Sequence, residues 1–128
     1  MNKHEHDASE VKLLVTIMDR EHGKAFKKLL EGEPVGIFIY MLGRGTADSN
    51  MLDLLLLGQS EKAVVLVPVL AQHASRVLRK IVEGMHLERP GGGIAFTIPI
   101  GSVTGRKVLG FLGGRYKEHL LQMQQEGK

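Results

Sequence analysis

A chain of 128 residues fits one domain, able to bury roughly 65–70% of its unfolded surface without covalent staples. It has no cysteine, which excludes disulfide frameworks, thiolate metal sites and cysteine nucleophiles, and 43% apolar content excludes a disordered chain. The net charge of +3 lies wholly in residues 105–128, so the balanced body has no dense basic face, and with 5% aromatics no nucleic-acid partner is expected.

No apolar run approaches the roughly 20 residues of a spanning helix. The polar first ten residues hold no apolar signal core, so residues 1–10 are read as a flexible N-terminus of a cytoplasmic protein. Residues 11–17 (VKLLVTI) are a β-prone run without alternation, consistent with a strand covered on both faces. A polar break at 18–23 precedes a short helix with Ala25, Phe26, Leu29 and Leu30 on one face and Lys24, Lys27 and Lys28 on the other. Gly32-Glu33-Pro34 ends it. Residues 35–42 (VGIFIYML) form the second predicted strand. A connection of about twenty residues leads to the third, 63–69 (AVVLVPV), where Pro68 calls for an edge or a strand end.

The clearest helix follows: Leu70, Ala74, Val77, Leu78, Ile81, Val82 and Met85 recur on one face, opposite Gln72, Arg76, Arg79, Lys80 and Glu83. Gly91-Gly92-Gly93 opens a fourth strand over 94–100, and glycines punctuate the chain beyond it. The order β-α-β-β-α-β defines a ferredoxin-like α+β sandwich: an antiparallel four-stranded sheet with two helices on one face. Within it the crossovers are read as setting the first and third strands side by side as a parallel pair. The second sheet face is apolar too and needs a cover, for which another copy of the chain serves.

Several features together carry a family resemblance. They are this element order, the glycine-bearing strand end Met41-Leu42-Gly43-Arg44-Gly45, the long loop, Lys62 opening the third strand, and Pro-Gly-Gly-Gly-Ile-Ala-Phe entering the fourth. From about residue 11 to residue 107 the chain resembles the PII signal-transduction family of nitrogen-regulatory proteins, and most closely its divergent PII-like branch. The resemblance implies a bacterial-type cytoplasmic homotrimer that binds an adenine nucleotide (ATP, ADP or AMP) in the cleft between subunits. It implies control of a partner, a membrane transporter or metabolic enzyme, through the long loop. Carried over by position, the nucleotide-binding residues are Gly43, Arg44, Gly45, Lys62, Gly91, Gly92, Gly93, Arg106 and Lys107. The physical logic is that glycines let backbone N–H groups approach phosphate oxygens and that Arg and Lys supply counter-charge.

The sequence also departs from the family. Ile94 stands where a phosphate-binding lysine follows the glycine turn, and Gly105 and Lys107 stand where two arginines follow the last strand. Gly45 replaces a loop-base glutamine, and the loop has no tyrosine, so neither 2-oxoglutarate sensing nor uridylylation is expected. A ligand less charged than ATP fits these changes.

Residues 48–58 have an N-cap choice in Asp48, Ser49 or Asn50 and a stop at Gly58, predicting a helix of about two turns. Its Met51, Leu52, Leu54, Leu55 and Leu56 read either as a partner-docking surface or as packing between subunits. Residues 108–128 are a C-terminal extension, partly helical over 115–125. The chain lacks H-E-x-x-H, G-x-S-x-G and a P-loop, and Asp48 and Asp53 lie in a loop without fixed geometry, so no enzyme is expected. His4-Glu5-His6-Asp7 lies in the N-terminal segment and is not taken as a metal site. The alternative reading is a CutA-like or scaffolding trimer of the same topology that senses no nucleotide.

Overall fold

The computed structural model describes residues 5–7, 10–43 and 61–104. Strand β1 is Glu5–Asp7, β2 Val11–Asp19, β3 Ile39–Gly43, β4 Lys62–Leu70, β5 Ile94–Pro99 and β6 Ser102–Thr104. Helix α1 covers Gly23–Leu29 after a 3-10 turn at Arg20–His22, and α2 covers Ala71–Gly84. The main sheet has the order β3-β4-β2-β5, as a ferredoxin-like α+β sandwich requires.

Every neighbouring pair in this sheet is antiparallel. The expectation of a parallel pair for β2 and β4 is therefore corrected. Each crossover joins parallel strands, β2 to β3 and β4 to β5, but one strand of the other unit lies between them. Apolar runs report burial and carry no information on direction, so the error lay in the crossover reasoning.

Two boundaries also move. The predicted second strand, residues 35–42, becomes regular only at Ile39. Before it, Val35 turns inward to full burial, and Phe38 meets Phe26 edge-to-face with centroids 6.3 Å apart. Within the N-terminal segment read as flexible, Glu5–Asp7 pair with Ser102–Thr104, a two-stranded sheet of its own. Pro68 sits in central strand β4, yet β3 reaches only as far as Leu66, so Pro68 has β2 on one side and a local edge on the other. A missing N–H costs nothing on that side.

The core lies between the sheet and both helices. Leu14, Met18, Val65 and Val67 meet Phe26 and Leu30 of the α1 region and Val77 and Ile81 of α2, all essentially buried. Each such side chain contributes about 1.5–3 kcal/mol by leaving water. The first N–H of α2 lacks a side-chain cap but donates to the Glu10 carbonyl at 2.7 Å, tying the helix start to the entry of β2.

Glu33, in the α1–β3 connection, is buried and accepts hydrogen bonds from Arg76 (2.7 Å) and Lys80 (2.8 Å) on α2. Burial alone would push its carboxyl up, but the bonds from Lys80 and Arg76, with the charges of both, hold it below its ordinary value. A lowered folded-state value stabilises the protein above the unfolded carboxylate range, and that contribution disappears as pH falls through the folded value. Glu33→Gln should cost about 1–2 kcal/mol at neutral pH. The cost should shrink on acidification, read from urea midpoints across a pH series; a cost independent of pH would deny the carboxylate this part.

The helix-free face of the sheet is apolar across all four strands. The register aligns Ile39, Leu66, Val15 and Phe96 in one row and Met41, Val64, Ile17 and Ile94 in the next, with Leu13, Pro68 and Ile98 beyond. Ile39, Met41, Phe96 and Ile98 are each at least 40% exposed. The consecutive apolar positions in β2, β4 and β5 thus point alternately into the core and onto this second face.

Candidate functional site

The glycine turn between α2 and β5 follows a tight helix exit. Leu87 donates to the Val82 carbonyl (3.0 Å) and buries its side chain, His86 takes a positive φ of 54°, and Gly92 donates to the Arg89 carbonyl at 2.9 Å. Gly91 and Gly93 have φ of 77° and 110°, conformations that side chains disfavour. Close approach adds to this. A Cβ on Gly92 would lie 2.6 Å from the His86 carbonyl oxygen, and one on Gly93 only 2.3 Å from that of Ile17. The triplet is therefore demanded by the turn and by its contact with β2, whatever binds there. A bulky residue at Gly92 tests the turn before it tests any ligand.

Across β2 from this turn lies the base of the long loop. Gly43 and Lys62 are direct partners in the β3–β4 register, so the chain leaves and re-enters the sheet at one point. Lys62 is buried and its ammonium pairs with Asp19 at the end of β2. Beside it Arg20 holds Glu61 at 2.6 Å, and the Arg20 N–H donates to the Glu61 carbonyl at 3.3 Å. The Tyr40 hydroxyl reaches the Arg20 carbonyl at 3.4 Å. Gly23 allows this, since a Cβ there would sit 2.6 Å from that hydroxyl.

Of the residues singled out from sequence, the structure brings Gly91, Gly92, Gly93, Lys62 and Gly43 to one end of the sheet. Gly93 leads into β5 and Gly43 ends β3, three strand spacings apart, about 14 Å. Lys62 does not point into open space as a ready counter-charge; Asp19 holds it. Arg44, Gly45, Met51, Leu52, Leu54, Leu55, Leu56, Arg106 and Lys107 lie outside the described residues, as do the predicted loop and C-terminal helices.

Sequence reasoning missed Asp19, Arg20, Tyr40 and Glu61 as the groups that stitch the loop base to the β2–α1 turn. The signal was present but faint: charges at 19–21 directly after an apolar strand, and Glu61-Lys62 directly before one. The same turn gathers Asp19, Glu21 and His22 with ligand atoms within 4.8 Å of one another. Lys62 already occupies Asp19, and the His22 imidazole lies 3.8 Å from Glu21.

No family model matches the chain, and no curated protein matches it in sequence. The fold is that of PII-type proteins. The likeness is to a crystal structure of Arabidopsis thaliana PII bound to citrate, with a TM-score of 0.58 and 16% identity over 77% of this chain and 82% of that one. At that identity the likeness establishes the PII-like fold. No helix among the described residues is long and apolar enough to cross a membrane.

Proposed function

We propose that the protein is a PII-like regulatory, non-enzymatic protein that acts as a cytoplasmic homotrimer. It binds an adenine nucleotide between subunits and controls a partner through the segment joining β3 to β4. The observation that carries this reading is the convergence of the glycine turn and the loop base at one end of a sheet whose outer face exposes Ile39, Met41, Phe96 and Ile98. Assembly through that face removes exposed apolar rows from water. It also sets one chain's turn near a neighbour's edge strand, where Gly43, Arg44, Gly45 and Lys62 of one element and Gly91, Gly92 and Gly93 of the other supply backbone donors and cations. Arg106 and Lys107 would add counter-charge. The absence of the family's lysine at Ile94 favours ADP or AMP over ATP.

The PII relative of similar fold binds citrate, so small polyanions belong in the same test. A thermal-shift series with ATP, ADP, AMP and citrate should show stabilisation by a nucleotide that follows mass action, about 2.7 kcal/mol at a hundred times Kd. No shift with any nucleotide at millimolar concentration would leave the scaffolding trimer as the better reading. One observation favours that second reading: Asp19 already neutralises Lys62, and packing alone accounts for the glycines.

A further inference from the structure

A separate cleft of about 1030 Å³ opens on the helix side of the sheet, between the β2–α1 turn, α1 and β3. It is remote from the glycine turn, which flanks β2 on the β5 side, and it lies on the opposite face from the apolar rows. Its inner wall is aromatic and aliphatic. Phe26 and Phe38 meet at right angles, Val65 forms the floor, and Tyr40 stands at the mouth with nearly half of its surface in solvent. Its volume is at the upper end of the roughly 300–1000 Å³ range of small-molecule pockets.

The charges around the mouth are sorted. Two of the three acids are matched from within the protein, Asp19 by Lys62 and Glu61 by Arg20; the third, Glu21, is largely exposed beside the His22 imidazole. Lys24 and Lys27 on α1 also line the cleft, and among the described residues neither has an ion-pair partner. The two lysines outnumber the one unmatched acid, Glu21, so the mouth carries a net positive charge beside an apolar wall. Such a site complements a flat apolar body with a single anionic group, the ring against Phe38 and Tyr40 and the anion toward the lysines.

We propose that this cleft binds a small planar aromatic anion, a carboxylate or phosphate monoester, at a site independent of the glycine turn. Apolar burial supplies most of the affinity, and the lysines give preference for the charged form over a neutral analogue. The cleft involves neither the apolar sheet face nor Gly91, Gly92 and Gly93, so the inference does not depend on the proposed trimer. It shares Asp19 and Glu61 with the loop base, and shifts centred on Phe26, Phe38 and Tyr40 distinguish it from a ligand at the glycine turn.

The test uses the full chain, with naphthoate as probe and naphthalene methanol as its neutral counterpart, followed by amide chemical shifts. Saturable shifts should centre on Phe26, Phe38 and Tyr40, with naphthoate the tighter ligand. Lys24→Glu with Lys27→Glu should weaken naphthoate about tenfold and leave the neutral analogue unchanged. Tyr40→Ser should weaken both. Equal binding of both probes would overturn the proposal, as would shifts confined to the glycine turn or to Phe96 and Ile98. Binding seen only after Leu55→Asp with Leu56→Asp would assign the cleft to the chain's own leucine-rich segment and overturn it as well.

Discussion

Alanine at Gly93 should cost about 3–5 kcal/mol, one of the largest effects of any single-methyl addition in the protein. Two penalties combine there. The backbone holds φ at 110°, which a Cβ disfavours, and that Cβ would lie 2.3 Å from the Ile17 carbonyl oxygen, well inside contact. The neighbouring atom is backbone of β2, locked in the ladder on both sides, so it yields little. Gly32→Ala is the matched control: its φ is 84°, but nothing lies within 4 Å of the added methyl. That variant should cost only the conformational part, about 1–2 kcal/mol. Urea midpoints at one fixed protein concentration give the difference directly. Equal costs at the two positions would mean that β2 gives way and that close approach is not what selects glycine at 93.

Two aspartates on β5, Phe96→Asp with Ile98→Asp, should abolish assembly while leaving the subunit folded. Both side chains stand on the helix-free face and are 40% and 44% exposed in the single chain. In a lone subunit, new charge there meets water and costs little. In a trimer built on this face each charge would be buried against apolar rows, a penalty of several kcal/mol per group. Sedimentation should therefore move from about three times 14.1 kDa to a single 14.1 kDa species, with the circular dichroism of the subunit retained. An unchanged assembly would place the contact between copies elsewhere.

Much of the fold was legible because core demand is written in apolar spacing. Ala74, Val77 and Ile81 mark α2 unmistakably, and the runs that became β2, β4 and β5 could hardly be anything but strands. Residues 35–38 misled for the same reason: Val35 is apolar because it packs beneath α1, and burial without ladder pairing looks identical to a strand in sequence. Strand direction was lost because it depends on how two crossovers interleave, a property of no single segment. The site divides along similar lines. The glycine triplet was visible, but its reason, the nearness of the Ile17 carbonyl, is a contact across the sheet. Asp19 and Lys62 are separated by most of the first half of the chain, and no local pattern announces that one will neutralise the other. The cleft is less legible still, since Lys24, Phe38, Tyr40 and Val65 come together only after three elements have packed.

The direct pairing of Gly43 with Lys62 has a bearing on how such a protein can change over time. A segment that departs and returns at neighbouring residues is topologically a hairpin cap, and the sheet beneath it is complete without knowledge of what the cap contains. Doubling the length of such a connection costs only about 0.6 kcal/mol of closure entropy. The Arg20–Glu61 and Asp19–Lys62 pairs clamp the stem, so variation above it is not transmitted into the core. The architecture thus separates the sheet frame from the connection it carries. New specificities can be tried in residues 44–60 with the stability of the domain almost untouched.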